Sequence, residues 1–191
     1  MRGVITHPLA LAGILTVLSA CSGASATART SGSADVPSVE AAPDPSAPGA
    51  MSALLDAHNR RRAQHCAPPL AWSPELAATA QAWADSLRDR GCAFEHSQSN
   101  LGENLAAGTE GTLDGEAVTE MWYAEVRGFD FRRGGFSMET GHFTQVVWAA
   151  TERVGCGVAQ CNGMDVWVCN YDPPGNLEGA YRDNVRPTSC R

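Results

Sequence analysis

Gly141-His142-Phe143-Thr144-Gln145-Val146-Val147-Trp148 is the stretch on which the reading of this chain turns. It sets one histidine beside a glycine where a short helix begins, and it places an apolar tail behind. Just downstream, Val154 to Gln160 and Asp165 to Tyr171 are two strand-like runs joined at Asn162-Gly163. Asn-Gly between alternating apolar runs is the strongest short hairpin signal, because both turn residues must adopt positive φ. A two-residue turn there makes Cys161 and Met164 a hydrogen-bonded pair. Counting outward, Cys156 then faces Cys169 on a non-hydrogen-bonded pair, where side chains approach most closely. That spacing suits a cross-strand disulfide.

Upstream the sequence reads as helices. Ser73-Pro74-Glu75 supplies an N-cap hydroxyl, a proline at the first helical position and an acid in the first turn. Leu76, Ala77, Ala80, Trp83, Ala84 and Leu87 form one apolar stripe, and Gly91 offers a left-handed stop. An earlier helix starts near Met51, carries Leu54, Leu55 and His58 at helical spacing, and runs to about His65. It bears His58, Asn59 and Arg62, of which His58 and Asn59 read as buried hydrogen-bonding groups. A further helix, about 114 to 127, places Ala117, Val118, Met121 and Trp122 on one face. The same stripe reaches Glu125, and an acid there is costly unless a charged or hydrogen-bonding group meets it. Residues 128 to 140 read as a loop with aromatic anchors.

Composition bounds the class. The 191 residues fit one domain with appendages, and the formal net charge of -7 argues against nucleic acid as a partner. The first residues form a leader: Met1-Arg2, a mostly apolar run from Val4 to Leu18, then Leu18-Ser19-Ala20-Cys21. Two readings stay open. Residues 1–21 are a signal peptide ending in a lipobox, with Cys21 lipidated and anchoring the chain to a membrane. Alternatively, cleavage follows Ala24-Ser25-Ala26 and the chain is fully secreted. Residues 22–50 are rich in Ala, Ser, Pro and Gly, too poor in apolar side chains to offset their ordering entropy, so they form a disordered tether. With Cys21 set aside, six of the seven cysteines remain, an even number that suits a closed disulfide set in an oxidising compartment.

Gly141 to Trp148, together with Cys169-Asn170-Tyr171-Asp172-Pro173-Pro174-Gly175-Asn176, closely resembles the two signatures of the CAP superfamily. This superfamily comprises the cysteine-rich secretory, antigen-5 and pathogenesis-related 1 proteins. His58-Asn59 with Arg62 also matches the HN-x-x-R element of its first helix. The resemblance covers about residues 51–186, essentially the whole of a folded domain read as residues 51–191. It implies an α+β fold: an α-β-α sandwich with a short, mainly antiparallel sheet between helical layers, stabilised by disulfides. It implies the Cys156–Cys169 bridge independently, and a Cys92–Cys161 bridge. By elimination Cys66 pairs with Cys190. It also implies that His96, Glu103, Glu125 and His142 line a central cleft.

Two imidazoles and two carboxylates in one cleft can hold a divalent cation such as zinc, the acids orienting the imidazoles. They can perform general acid–base chemistry. Or they can form a closed hydrogen-bond network with only a structural role. Hydrolysis is the weaker reading: there is no H-E-x-x-H, no G-x-S-x-G, and Ser97 has no nucleophile context. No residue is therefore assigned a catalytic role. The expectation is an exported binding module, more in keeping with a non-enzyme, for a small lipid or sterol or for envelope ligands. A metal-dependent hydrolase and an envelope interaction domain are the alternatives.

Overall fold

A computed structural model of the chain describes residues 49–189. The leader, the proposed lipidation site Cys21, nearly all of the tether and Cys190, the expected partner of Cys66, lie outside the described residues. Helix α1 (Ala50–Gln64) leads to a two-residue strand β1 (Ala71–Trp72), helix α2 (Pro74–Asp89) and strand β2 (Gly102–Thr109). Helix α3 (Gly115–Tyr123) continues into a 3₁₀ turn, Ala124–Gly128; then come α4 (Gly141–Val146), β3 (Arg153–Cys161), β4 (Met164–Asp172) and α5 (Tyr181–Asn184). The sheet order is β1-β3-β4-β2, with β1 parallel to β3 and the other pairs antiparallel. Among the described residues no helix is long and apolar enough to cross a membrane.

The hairpin follows the register that the turn predicts. Asn162 and Gly163 have φ of 51° and 74°, Cys161 pairs with Met164, and Cys156 pairs with Cys169. The Cys156–Cys169 disulfide has a Cα separation of 4.1 Å, and a second disulfide joins Cys92 to Cys161. Alternation along β4 then divides the interior into two cores. Val166 and Val168 meet Ala80, Ala84 and Leu87 of α2, whereas Trp167, Cys169 and Tyr171 meet Leu54 of α1, Trp122 of α3 and Phe143 of α4. This is the α-β-α sandwich. On the α2 face, Gly155 and Gly157 let the helix backbone approach β3: a Cβ at either position would collide with backbone atoms of Ala77 or Gln81.

Helix α2 begins as the sequence predicts, with the Ser73 hydroxyl accepting from Leu76 N–H and Pro74 at the first position. The third helix is shorter than predicted. It leaves α geometry at Ala124, so Glu125 lies in the 3₁₀ turn rather than on a continued α-helical stripe. The loop after it is only partly anchored. Phe129 and Phe131 pack edge-on against each other and against Phe143, while Phe136 and Met138 are exposed.

Helix α1 is tied in by its polar residues. Asn59 exchanges two hydrogen bonds with the backbone of Leu70, at 3.1 and 2.7 Å. Arg62 is fully buried and donates to the carbonyls of Pro68, Val146, Trp148 and Thr151, clasping the end of α4 and the turn before β3. Burial without a carboxylate partner lowers its pKa to about 10. The two signature blocks interlock. The Gly175 N–H donates to Gln145 Oε1 at 2.9 Å, Asn176 Nδ2 to the Gly141 carbonyl at 2.9 Å, and the Thr144 hydroxyl to Asn176 Oδ1.

Candidate functional site

The structure arranges the four predicted cleft residues as two imidazole–carboxylate pairs. His96, in the loop after α2, sets Nδ1 2.8 Å from Glu103 Oε1 on β2. The Glu103 carboxylate is almost fully covered and accepts three more hydrogen bonds: from the Ser97 N–H (2.9 Å), the Ser97 hydroxyl (2.6 Å) and Asn170 Nδ2 (3.3 Å). Burial pushes its pKa up, but the bonds from His96 and Ser97 outweigh burial and hold it below the usual carboxylate range. The same bond to Glu103 raises the His96 pKa against a smaller opposing effect of burial.

The second pair is built around the start of α4. Glu125 Oε1 lies 2.6 Å from His142 Nδ1, and its Oε2 accepts the backbone N–H groups of His142 and Phe143 at 3.0 and 3.1 Å. A glutamate from the preceding 3₁₀ turn thus satisfies the first amides of a helix whose own N-cap residue, Thr140, makes no side-chain cap. These bonds are the partners that an acid at the end of the apolar stripe requires. Trp122 stacks on the His142 ring, 6.3 Å between centroids and 18° between planes, and donates its indole N–H to the Leu105 carbonyl at 3.0 Å.

The pairs meet the sheet at consecutive residues of β2. Glu103 holds His96, and Asn104 donates to the His142 carbonyl at 3.2 Å and to the Tyr171 hydroxyl at 3.3 Å. The Tyr171 hydroxyl in turn bonds His58 Nε2 at 2.9 Å, so a buried polar chain runs from the cleft into α1. The residues that sequence reasoning missed are Asn104, Asn170 and Trp122. Asn170 lies within the second signature, where an asparagine on an otherwise apolar strand was the one available signal; Asn104 lies on β2, which the sequence did not mark as a strand.

In both pairs Nδ1 faces a carboxylate, and neither Nε2 has a hydrogen-bond partner among the described residues. A carboxylate-oriented imidazole with a free Nε2 is what a metal-ligating histidine requires. The donor chemistry fits a divalent cation; the donor count is low. Among the described residues no group of three or more His, Cys, Asp or Glu side chains is placed to hold a metal. What the residues can supply is two imidazoles, with water left to complete the shell.

Beside His142 lies a groove of about 360 Å³, walled by Phe94, Ala106, Ala107, Met121 and Trp122, with Glu125 and His142 at its polar end. A larger, mainly polar cavity of about 670 Å³ opens between residues 128–137 and 178–182; none of the four predicted residues lines it. The Ser97 hydroxyl bonds the carboxylate rather than an imidazole, so the order is serine–acid–histidine. A nucleophilic serine needs the histidine in the middle.

The sequence profile of CAP, the cysteine-rich secretory protein family, matches residues 55–171. The chain belongs to this family. It is 42% identical over 141 residues to Protein PRY2 of Saccharomyces cerevisiae, covering 71% of this chain and 41% of that protein. It is 43% identical over 128 residues to Pathogenesis-related protein 1A of Nicotiana tabacum, covering 65% and 76%. The chain therefore spans well under half of the yeast relative. Among solved structures, NaASP2 crystallised with Zn2+ superposes with a TM-score of 0.57 and 27% identity, over 75% of this chain and 90% of that one.

Proposed function

We propose that this CAP domain is an exported, non-enzymatic binding module. In this reading it holds a divalent cation such as zinc on the Nε2 atoms of His96 and His142, and takes a small lipid or sterol in the adjoining apolar groove. The carrying observation is the orientation of the two imidazoles: each is fixed through Nδ1 by a buried or half-buried carboxylate and leaves Nε2 without a partner among the described residues. The zinc-containing structure of a relative supports the cation. Export is supported by the leader-like start, the disulfides and a family described as secretory. Lipidation of Cys21 would then hold the module on a membrane surface through the tether.

Glu103 and Glu125 act as orienting groups that fix ring angle and tautomer. A hydrolase reading is disfavoured by the serine–acid–histidine order around Glu103. The groove arm is tested by incubating the full chain with a radiolabelled sterol and with a fatty acid. Retention above a serum-albumin control is expected for at least one; retention of neither would remove the lipid reading.

A further inference from the structure

The cavity of about 670 Å³ lies between two glycine-bearing turns, apart from both imidazole pairs. One turn is closed by the Gly134 N–H donating to the Asp130 carbonyl at 2.8 Å, the other by the Ala180 N–H donating to the Leu177 carbonyl at 3.1 Å. Gly134 and Gly179 have φ of 64° and 79° there, the left-handed region that favours glycine. The turns also meet each other. A Cβ at Gly134 would lie 3.4 Å from Tyr181 Cβ, and the Arg182 guanidinium reaches the Arg132 carbonyl at 3.4 Å.

Four charged side chains line this cavity: Asp130, Arg133, Glu178 and Arg182. None of them makes an ion pair among the described residues. Asp130 spends one carboxylate oxygen on the N–H groups of Arg132 and Arg133, at 2.9 and 3.3 Å. The side chains of Arg133 and Glu178 have no hydrogen-bond partner among the described residues. Thr140 and Tyr181 also line the cavity, each 3% exposed, and neither hydroxyl has a partner among the described residues. Burial, and then the nearby Glu178 charge, push the Tyr181 phenol up to about 12. Phe136, 54% exposed, adds an apolar ring to this polar lining.

We infer that this cavity binds a neutral saccharide, its hydroxyls taken by Asp130, Arg133, Glu178 and Arg182 and one pyranose face laid on Phe136. The site is distinct from the cleft and independent of the reading given to it. Charge and bonding capacity decide the class. Two carboxylates and two guanidiniums cancel, so an anion drawn to the arginines would also meet Asp130 and Glu178. A lipid tail would cover four charges without partnering them. A sugar hydroxyl both donates and accepts, so neighbouring hydroxyls satisfy a carboxylate and a guanidinium side by side. The C–H face of a pyranose is the apolar surface that an exposed ring in a polar site can use. The volume lies within the range of small-molecule sites.

The test titrates the full chain calorimetrically with neutral trisaccharides of glucose, of mannose and of N-acetylglucosamine, beside a sulfated heparin oligosaccharide. At least one neutral sugar is expected to bind saturably, with a Kd that changes less than about twofold up to about 0.5 M salt. Arg133→Ala/Arg182→Ala and Phe136→Ala should each weaken it at least about tenfold and melt like wild type, because all three side chains are exposed. Binding of no neutral sugar overturns the inference, as does binding that survives both variants. Uptake of the sulfated sugar alone also overturns it and makes the cavity an anion site. Zinc titration of the same variants should match wild type, so a failure here leaves the cleft reading standing.

Discussion

Helix α1 and the cleft each contain histidine, and they use it in opposite ways. His58 is fully buried, with Nδ1 on the Leu54 carbonyl and Nε2 on the Tyr171 hydroxyl, both at 2.9 Å. His96 and His142 each spend one nitrogen on a carboxylate and keep the other free, with side chains 56% and 31% exposed. A ring with both nitrogens satisfied inside the core has nothing left to offer a ligand. A ring that is held on one side and open on the other is positioned to bind. Burial and bond count separate structural histidine from available histidine here, although all three sit in family motifs.

The comparison can be broken by mutation, and the largest effects belong to α1. Arg62→Met leaves four buried carbonyls without their donor and should cost about 3–5 kcal/mol in denaturant unfolding. A loss under about 1 kcal/mol would mean that water replaces the guanidinium. His58→Leu removes the imidazole partner of the Tyr171 hydroxyl, leaving it only the longer bond from Asn104, and should cost about 2–3 kcal/mol by the same measurement.

His58 also sets an acid limit. Burial, reinforced by the Arg62 charge against the Leu54 bond, lowers its pKa to about 4. Between that value and the ordinary imidazole range the unfolded chain binds more protons than the folded one. Stability at His58 is thus present above about pH 6.5 and lost as pH falls toward about 4. Urea unfolding across this range should show the slope in wild type and a flattened slope in His58→Gln; an unchanged slope would assign the acid limit elsewhere.

The smallest effects belong to the cleft. Glu125→Gln weakens the cap on α4 and should cost about 1 kcal/mol. His96→Ala, half-exposed and with one bond, should change stability by less than about 0.5 kcal/mol. A thermal melt of His96→Ala as damaged as that of His58→Leu would erase the distinction between the two kinds of histidine.

The contrast also explains what could be read from the sequence. Asn162-Gly163 was enough to set the hairpin register, because the turn needs positive φ at both residues, and the Ser73-Pro74-Glu75 start located α2. Strand β2 was not legible. Its Gly, Ala and Asn residues are poor strand formers, and it is ordered by pairing with β4. The break at Ala124 was hidden as well, since the apolar stripe of α3 runs on to the point where Glu125 turns to cap α4. The four cleft residues were legible through the family motifs. Their division into His96–Glu103 and His142–Glu125 was not, because chain spacing does not say which acid reaches which ring.

The most direct test is calorimetric titration of zinc into the metal-free full chain, with wild type beside the His96→Ala/His142→Ala double variant. If the free Nε2 atoms are the binding groups, wild type takes up about one equivalent saturably and the double variant none, with both unfolding at similar temperature. No uptake by wild type, or uptake that survives loss of both imidazoles, would contradict the account and leave the two pairs as supports for β2 and α4.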